Sequence, residues 1–335
     1  MTTRTRYFVV VSLVILGVGL TTGLVAYYHG FPVGAARREG PDELQFIPRD
    51  AAVIAYANVQ EVMASDVRKK LHHAMPIPEN GQQELLNATG INLETDIDRV
   101  IACMLPNGKP GTHGSGMVIA RGHFDEVRIE SLMRDHGSEV EDYNGSRLIL
   151  AREGSGDSLS VAFLEHGLAA IGTTNLVKNA VDLHKSGDHP TVQSATENEE
   201  LMTLVHTLDS GNNVWAVGRF DALTAQAHLP QDVASKLPAI TWFSISAHVD
   251  GGVRGAVRAE ARDEEAANNL RDVVRGFLAL GKMNAGSRPD IQMMMQSLEL
   301  GGTGKTVALS FVVPAEVFDA VGGATERRGP RAEVR

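Results

Sequence analysis

The chain has 335 residues and a formal net charge of −10, with 31 Lys and Arg residues against 41 Asp and Glu residues. Such an acidic chain repels phosphates, which argues against nucleic acid or an anionic lipid surface as the main partner. The single cysteine, Cys103, cannot form an internal disulfide, so the cysteine content does not identify a compartment. The length suffices for one large domain or two smaller ones.

The N-terminus contains an uncharged apolar run from Tyr7 to Tyr28. As an α-helix this run would be about 33 Å long, enough to cross a hydrocarbon core of roughly 30 Å. Tyrosines at both ends suit the two membrane interfaces. The sequence therefore predicts an uncleaved transmembrane helix over residues 7–28. The alternative is a cleaved signal peptide, although the apolar region of a signal peptide is usually shorter, about 7–15 residues.

The charges beside the predicted span indicate its orientation. Arg4 and Arg6 precede it without any acidic residue, whereas the next basic residues, Arg37 and Arg38, lie well beyond it. Positive charge is retained on the cytoplasmic side of a membrane. Residues 1–6 are therefore predicted to be cytoplasmic, and the body is predicted to be periplasmic or extracellular, as in a single-pass membrane protein.

Within the predicted span, Gly19 and Gly23 form a Gly-x-x-x-Gly pair. Glycines at this spacing let two membrane helices approach closely. The pair predicts a helix contact with another membrane protein. The membrane and a second envelope protein are thus the predicted partners of the chain.

The rest of the chain divides into four predicted parts. A linker rich in Pro, Gly and charged residues covers 29–46 and is followed by two α+β units over 47–190 and 191–321. The tail over 322–335 is rich in Gly, Arg and Glu and has no apolar periodicity, so it is predicted to be disordered.

Apolar patterns in the first unit predict strands that alternate with helices. The Asn144-Gly145 dipeptide predicts a tight hairpin. The predicted strands are Val53–Val59, Val100–Leu105, Gly116–Arg121, Arg147–Ala151, Ser158–Leu164 and Leu168–Ile171, and the predicted helices are Ser65–Met75, Asp125–Asp135 and Thr174–Lys185.

The second unit repeats this order loosely, with a long amphipathic helix that starts at Asp263. Its predicted strands are Val214–Gly218, Ile240–Val249, Val253–Arg262, Gln296–Leu300 and Val307–Val313, and its predicted closing helix is Pro314–Val321. The shared order predicts an internal duplication. The fold class is predicted as α+β, with mostly antiparallel sheet and helices packed on one face.

Two segments carry a resemblance to a known group of proteins. The opening from Ile47 to Val53 and the meander from Tyr143 to Gly167 resemble bacterial membrane-anchored extracytoplasmic proteins of uncharacterised function. The shared motifs are turns and strand edges. The resemblance implies a location and a style of fold, and it implies no activity.

Several segments resemble catalytic or metal-binding motifs but lack residues or spacings that those motifs require. The stretch Gly301–Thr306 resembles a P-loop, but Glu299 occupies the position of the first glycine, and a strand is predicted where a helix is required. The twelve histidines lack the spacing of metal ligands. Cys103 lies within an apolar strand, without the basic neighbours that activate a thiolate. No metal, cofactor or catalytic residue is predicted.

The strongest constellation is one face of the hairpin formed by the two long strands. A three-residue loop pairs Val249 with Val253, because the other parity would mix arginines into the apolar face. This register places on one face Trp242, Ser244, Ser246, His248, Arg254, Arg258 and Glu260. Such a face is suited to a polymer, an anionic ligand or a partner protein. The alternative is an ordinary solvated sheet face.

Together these features predict a membrane-anchored extracytoplasmic protein that acts as a binding, scaffold or sensory module without recognisable catalytic residues. The alternative is a cell-envelope hydrolase or transferase. Its catalytic groups would be dispersed in the sequence and assembled by folding.

Overall fold

The computed structural model describes residues 41–74, 86, 91–92, 94–106, 115–135, 137–151, 159–185, 192–208, 211–222, 239–285, 289–315 and 317. The predicted transmembrane helix over 7–28, with Gly19 and Gly23, and the predicted tail over 322–335 lie outside these residues. Within the described parts of the chain, no helix is both long enough and apolar enough to cross a membrane.

The described strands form one antiparallel sheet of twelve strands. Their order across the sheet is β11-β12-β10-β9-β8-β1-β2-β3-β7-β6-β5-β4. The strands are β1 (Val53–Asn58), β2 (Ile97–Met104), β3 (Gly116–Gly122), β4 (Glu139–Tyr143), β5 (Ser146–Leu150), β6 (Leu159–Glu165), β7 (Leu168–Thr173), β8 (Val214–Arg219), β9 (Ile240–Val249), β10 (Gly252–Ala261), β11 (Glu299–Gly301) and β12 (Thr306–Pro314). The predicted α+β class with antiparallel strands is confirmed.

Helices connect these strands. They are α1 (Val59–Ala64), α2 (Asp66–Ala74), α3 (Glu126–Asp135), α4 (Thr174–Lys185), α5 (Glu199–His206), α6 (Glu264–Asn284) and α7 (Pro289–Ser297), with short 3-10 helices at Asp42–Phe46 and Ala195–Glu197. Side chains fix several of the helix starts. Asp263, for example, accepts a hydrogen bond from the backbone N–H of Ala266 and so caps α6.

The hairpin predicted at Asn144-Gly145 is present. Tyr143 pairs with Ser146, which leaves a two-residue loop between β4 and β5. Asn144 and Gly145 have φ angles of 50° and 70°, the left-handed values that such a loop requires. Local sequence therefore determines this turn.

The two predicted units meet inside the sheet. Strand β1 of the first pairs with β8 of the second, with Ala55 opposite Ala216. From this junction the sheet continues through β2, β3, β7 and β6 on one side and through β9, β10, β12 and β11 on the other. The predicted boundary between 190 and 191 lies outside the described residues.

Helices cover both faces of the sheet, so the prediction that they pack on one face is wrong. On one face Ile101 belongs to a core that includes Val177 of α4 and Leu201 of α5. On the other face Val100 belongs to a core that includes Ile129 of α3. The physical reason is that the central strands carry apolar side chains at both parities, and both sides must be shielded from water.

The body begins earlier than the sequence predicted. Residues 42–46 were predicted as the end of the linker, but Asp42–Phe46 forms a 3-10 helix whose Leu44 and Phe46 are buried in the main core. Five residues are too few to show a helical period, and the flanking Pro, Gly and charges dominated the pattern. Of the predicted linker, residues 29–40 lie outside the described part of the chain.

Candidate binding surface

The structure confirms the register predicted for the hairpin of β9 and β10. Val249 pairs with Val253, Ser244 with Arg258 and Trp242 with Glu260. Side chains alternate between the faces of a strand, so all seven predicted residues share one face. The prediction that these seven residues share one face of the hairpin is therefore confirmed.

The centre of this face is covered by protein. Ser244 and Ser246 are only 3% and 2% exposed. A guanidinium nitrogen of Arg258 donates a hydrogen bond of 2.8 Å to the carbonyl oxygen of Thr207, in the segment that follows α5. The two serines are therefore shielded from solvent in this structure.

The histidine of this face is engaged by the same segment. Nδ1 of His248 donates to the carbonyl oxygen of Gly211 at 2.6 Å, and its Nε2 lies 3.2 Å from Oδ2 of Asp250. Arg254 and Glu260 are exposed, whereas Trp242 packs against the main core. A ligand-binding role for this face stays a prediction, and the contacts of His248 hold a loop on the sheet.

A shallow depression of about 200 Å³ lies at the start of α3 and is lined by Asp96, His123, Asp125 and Arg128 among others. Its carboxylates stabilise local backbone. Asp96 accepts from the backbone N–H of Asn92, and Asp125 accepts from that of Arg128. Among the described residues, no group of three or more His, Cys, Asp or Glu side chains is arranged to hold a metal ion.

The only cysteine has the environment of a structural residue. Cys103 is buried in β2, and its burial raises the pKa of the thiol to about 12. A nucleophilic cysteine needs its thiolate near neutral pH. The expectation that Cys103 fills space in the core agrees with this geometry.

A buried carboxylate ties the start of the body to the sheet. Glu43 is almost fully buried, and its Oε1 accepts hydrogen bonds from Nε of Arg99 (3.0 Å) and Nε of Arg121 (2.5 Å). A nitrogen of Arg121 also contacts Glu165 at 3.1 Å. Two cations on one buried carboxylate compensate for its desolvation. The network fixes the segment through which the chain enters the body from its N-terminal side.

The largest unexplained feature is an apolar side of α6. Val273, Phe277, Leu280 and Met283 are 42%, 69%, 55% and 80% exposed. Their spacing of three and four residues places them along one side of the helix, which is called the α6 flank below. Single exposed apolar side chains are common, but a contiguous set marks an interaction surface.

The rest of α6 is firmly held. Ala266 and Ala267 pack in a small core with Val307 of β12. The guanidinium of Arg271 donates to the carbonyl oxygens of Gly304 and Thr306, in the turn before β12. The α6 flank is thus presented by a helix fixed to the sheet.

The neighbouring helix α7 packs against α6. Met293 of α7 is also exposed, and Met295 of α7 packs beside Gly281 of α6. Around Gly276, on the outer side of the helix, no atom of the described residues lies within 4 Å of the position that a Cβ would take. A partner could therefore approach the backbone of α6 closely.

Sequence reasoning found the amphipathic helix and missed its exposed side. The apolar spacing predicts that one side of this helix carries Leu270, Val273, Val274, Phe277 and Leu280. In the structure Leu270 and Val274 are partly buried, while the other three project into solvent. The width of the apolar arc, which exceeds what one sheet can cover, was the available signal.

Comparison with protein-family models, with curated proteins and with solved structures finds no match to this chain.

Proposed function

We propose that this chain is a membrane-anchored extracytoplasmic binding module and that the α6 flank is its binding surface. The observation that carries the proposal is the exposure of four large apolar side chains on one fixed helix. Leaving such a surface in water is unfavourable, by about 25 cal/mol for each Å² of apolar area. A partner that covers the flank recovers this free energy.

Two sequence features support the membrane part of the proposal. The uncharged run from Tyr7 to Tyr28 has the length of a single span, and Arg4 and Arg6 favour a cytoplasmic N-terminus. Only a short linker separates the end of this run from Glu43, which forms an ion pair with Arg99 of the sheet. The body would therefore be held close to the outer surface of the membrane.

We further propose that the body arose by internal duplication, with β1 to β7 as one copy and β8 to β12 as the other. The order of strands outward from the β1–β8 junction is the same on both sides, except that β5 and β4 extend one side. On each side the third strand leads into a helix, α3 or α6. The longer α6 occupies the half that lacks the extra hairpin.

The proposal is tested by the size of the assembly that the full chain forms in mild detergent. The chain mass is 35.9 kDa, and we expect the wild type to sediment in a larger assembly. Phe277→Glu and Leu280→Glu should sediment as single chains, because a charge on the flank must be desolvated on binding.

The matched control is Val127→Glu, which places the same charge on a valine of α3 that is 81% exposed. This variant should sediment like the wild type. A wild-type protein that sediments as a single chain, or flank variants that leave the assembly unchanged, would contradict the proposed function.

A further inference from the structure

We draw no further inference here: the strongest candidate, the exposed apolar surface patch along the α6 flank, is already the basis of the proposed function, and nothing in the structure shows what covers it.

Discussion

Ala55 of β1 and Ala216 of β8 pair at the centre of the twelve-stranded sheet. The pairs on either side, Val53 with Gly218 and Ala57 with Val214, lie two residues away in opposite directions. Exchanging the two strands about the central pair therefore converts one of these pairs into the other. Every antiparallel pair of strands has this local two-fold symmetry, so the junction is compatible with the proposed duplication.

The junction tolerates no side chain at Gly218. A Cβ there would lie 2.5 Å from the carbonyl oxygen of Ala52 and 2.7 Å from Cα of Val53. Gly218→Val should lower the free energy of unfolding by about 2–3 kcal/mol, as overpacking does, and the urea-unfolding transition should remain single. The control Gly276→Ala, on an exposed helix, should raise the free energy of unfolding by about 0.5–1 kcal/mol. Two separate transitions in the wild type would show that the halves fold independently.

The ion pairs of Glu43 with Arg99 and Arg121 should contribute measurably to the free energy of unfolding. Glu43→Gln removes the negative charge that faces Arg99 and Arg121 and leaves a neutral amide oxygen as the acceptor, while Arg121 keeps its contact with Glu165. The free energy of unfolding should fall by roughly 1–3 kcal/mol. Asp42→Asn, at the exposed neighbouring position, should change it little. Equal effects of the two substitutions would show that the buried network is not important.

The thiol of Cys103 should be inert in the folded protein. Because burial raises its pKa to about 12, almost none of it is thiolate at pH 8. The measurement is reaction with a disulfide reagent that releases a coloured thiol. Less than roughly one tenth of the native chains should react, because a buried thiol is inert, and all should react once denaturant is added. Rapid reaction of the native protein at pH 8 would contradict the buried position of Cys103 in β2.

The cap of α6 should make stability depend on pH in the acidic range. The backbone N–H of Ala266 and the guanidinium of Arg262 hold the pKa of Asp263 below its ordinary value of 3.8. A carboxyl with a lowered folded-state pKa adds stability above its unfolded pKa and loses that contribution as the pH falls through the folded value.

Asp263→Asn keeps a side-chain acceptor at this position and removes the titration. The difference in unfolding free energy between the wild type and this variant should be constant above about pH 5 and should shrink below about pH 4. Asp263→Ala, which removes the cap, should lower the unfolding temperature at neutral pH. A difference that does not change between pH 3 and pH 6 would contradict the assigned cap.

Local patterns were sufficient to predict much of the sheet. Alternating apolar residues located β9 and β10 together with their register, and Asn144-Gly145 located a hairpin. Longer-range features were not predictable in this way. The pairing of β1 with β8 joins residues about 160 positions apart, and no local period encodes such a contact.

The candidate surfaces, too, could be predicted only in part from the sequence. The sequence placed Ser244 and Ser246 on the correct face but could not show that they are buried there. Likewise it located α6 but could not show that Phe277 faces water, because the helical period does not show which part of the apolar arc is covered by β10, β11 and β12. Which side of an amphipathic helix is covered depends on tertiary packing.

The central claim is that the α6 flank is covered by a partner in the anchored protein. The most direct measurement is the rate at which a water-soluble maleimide labels Met283→Cys in native membranes and in single chains, obtained in mild detergent by adding Phe277→Glu to the same protein. Met283 is 80% exposed in the isolated chain. We predict labelling at least about ten-fold slower in membranes, since a buried thiol reacts only on transient opening, while Val127→Cys labels equally fast in both states. Equal rates for Met283→Cys in the two states would contradict the account.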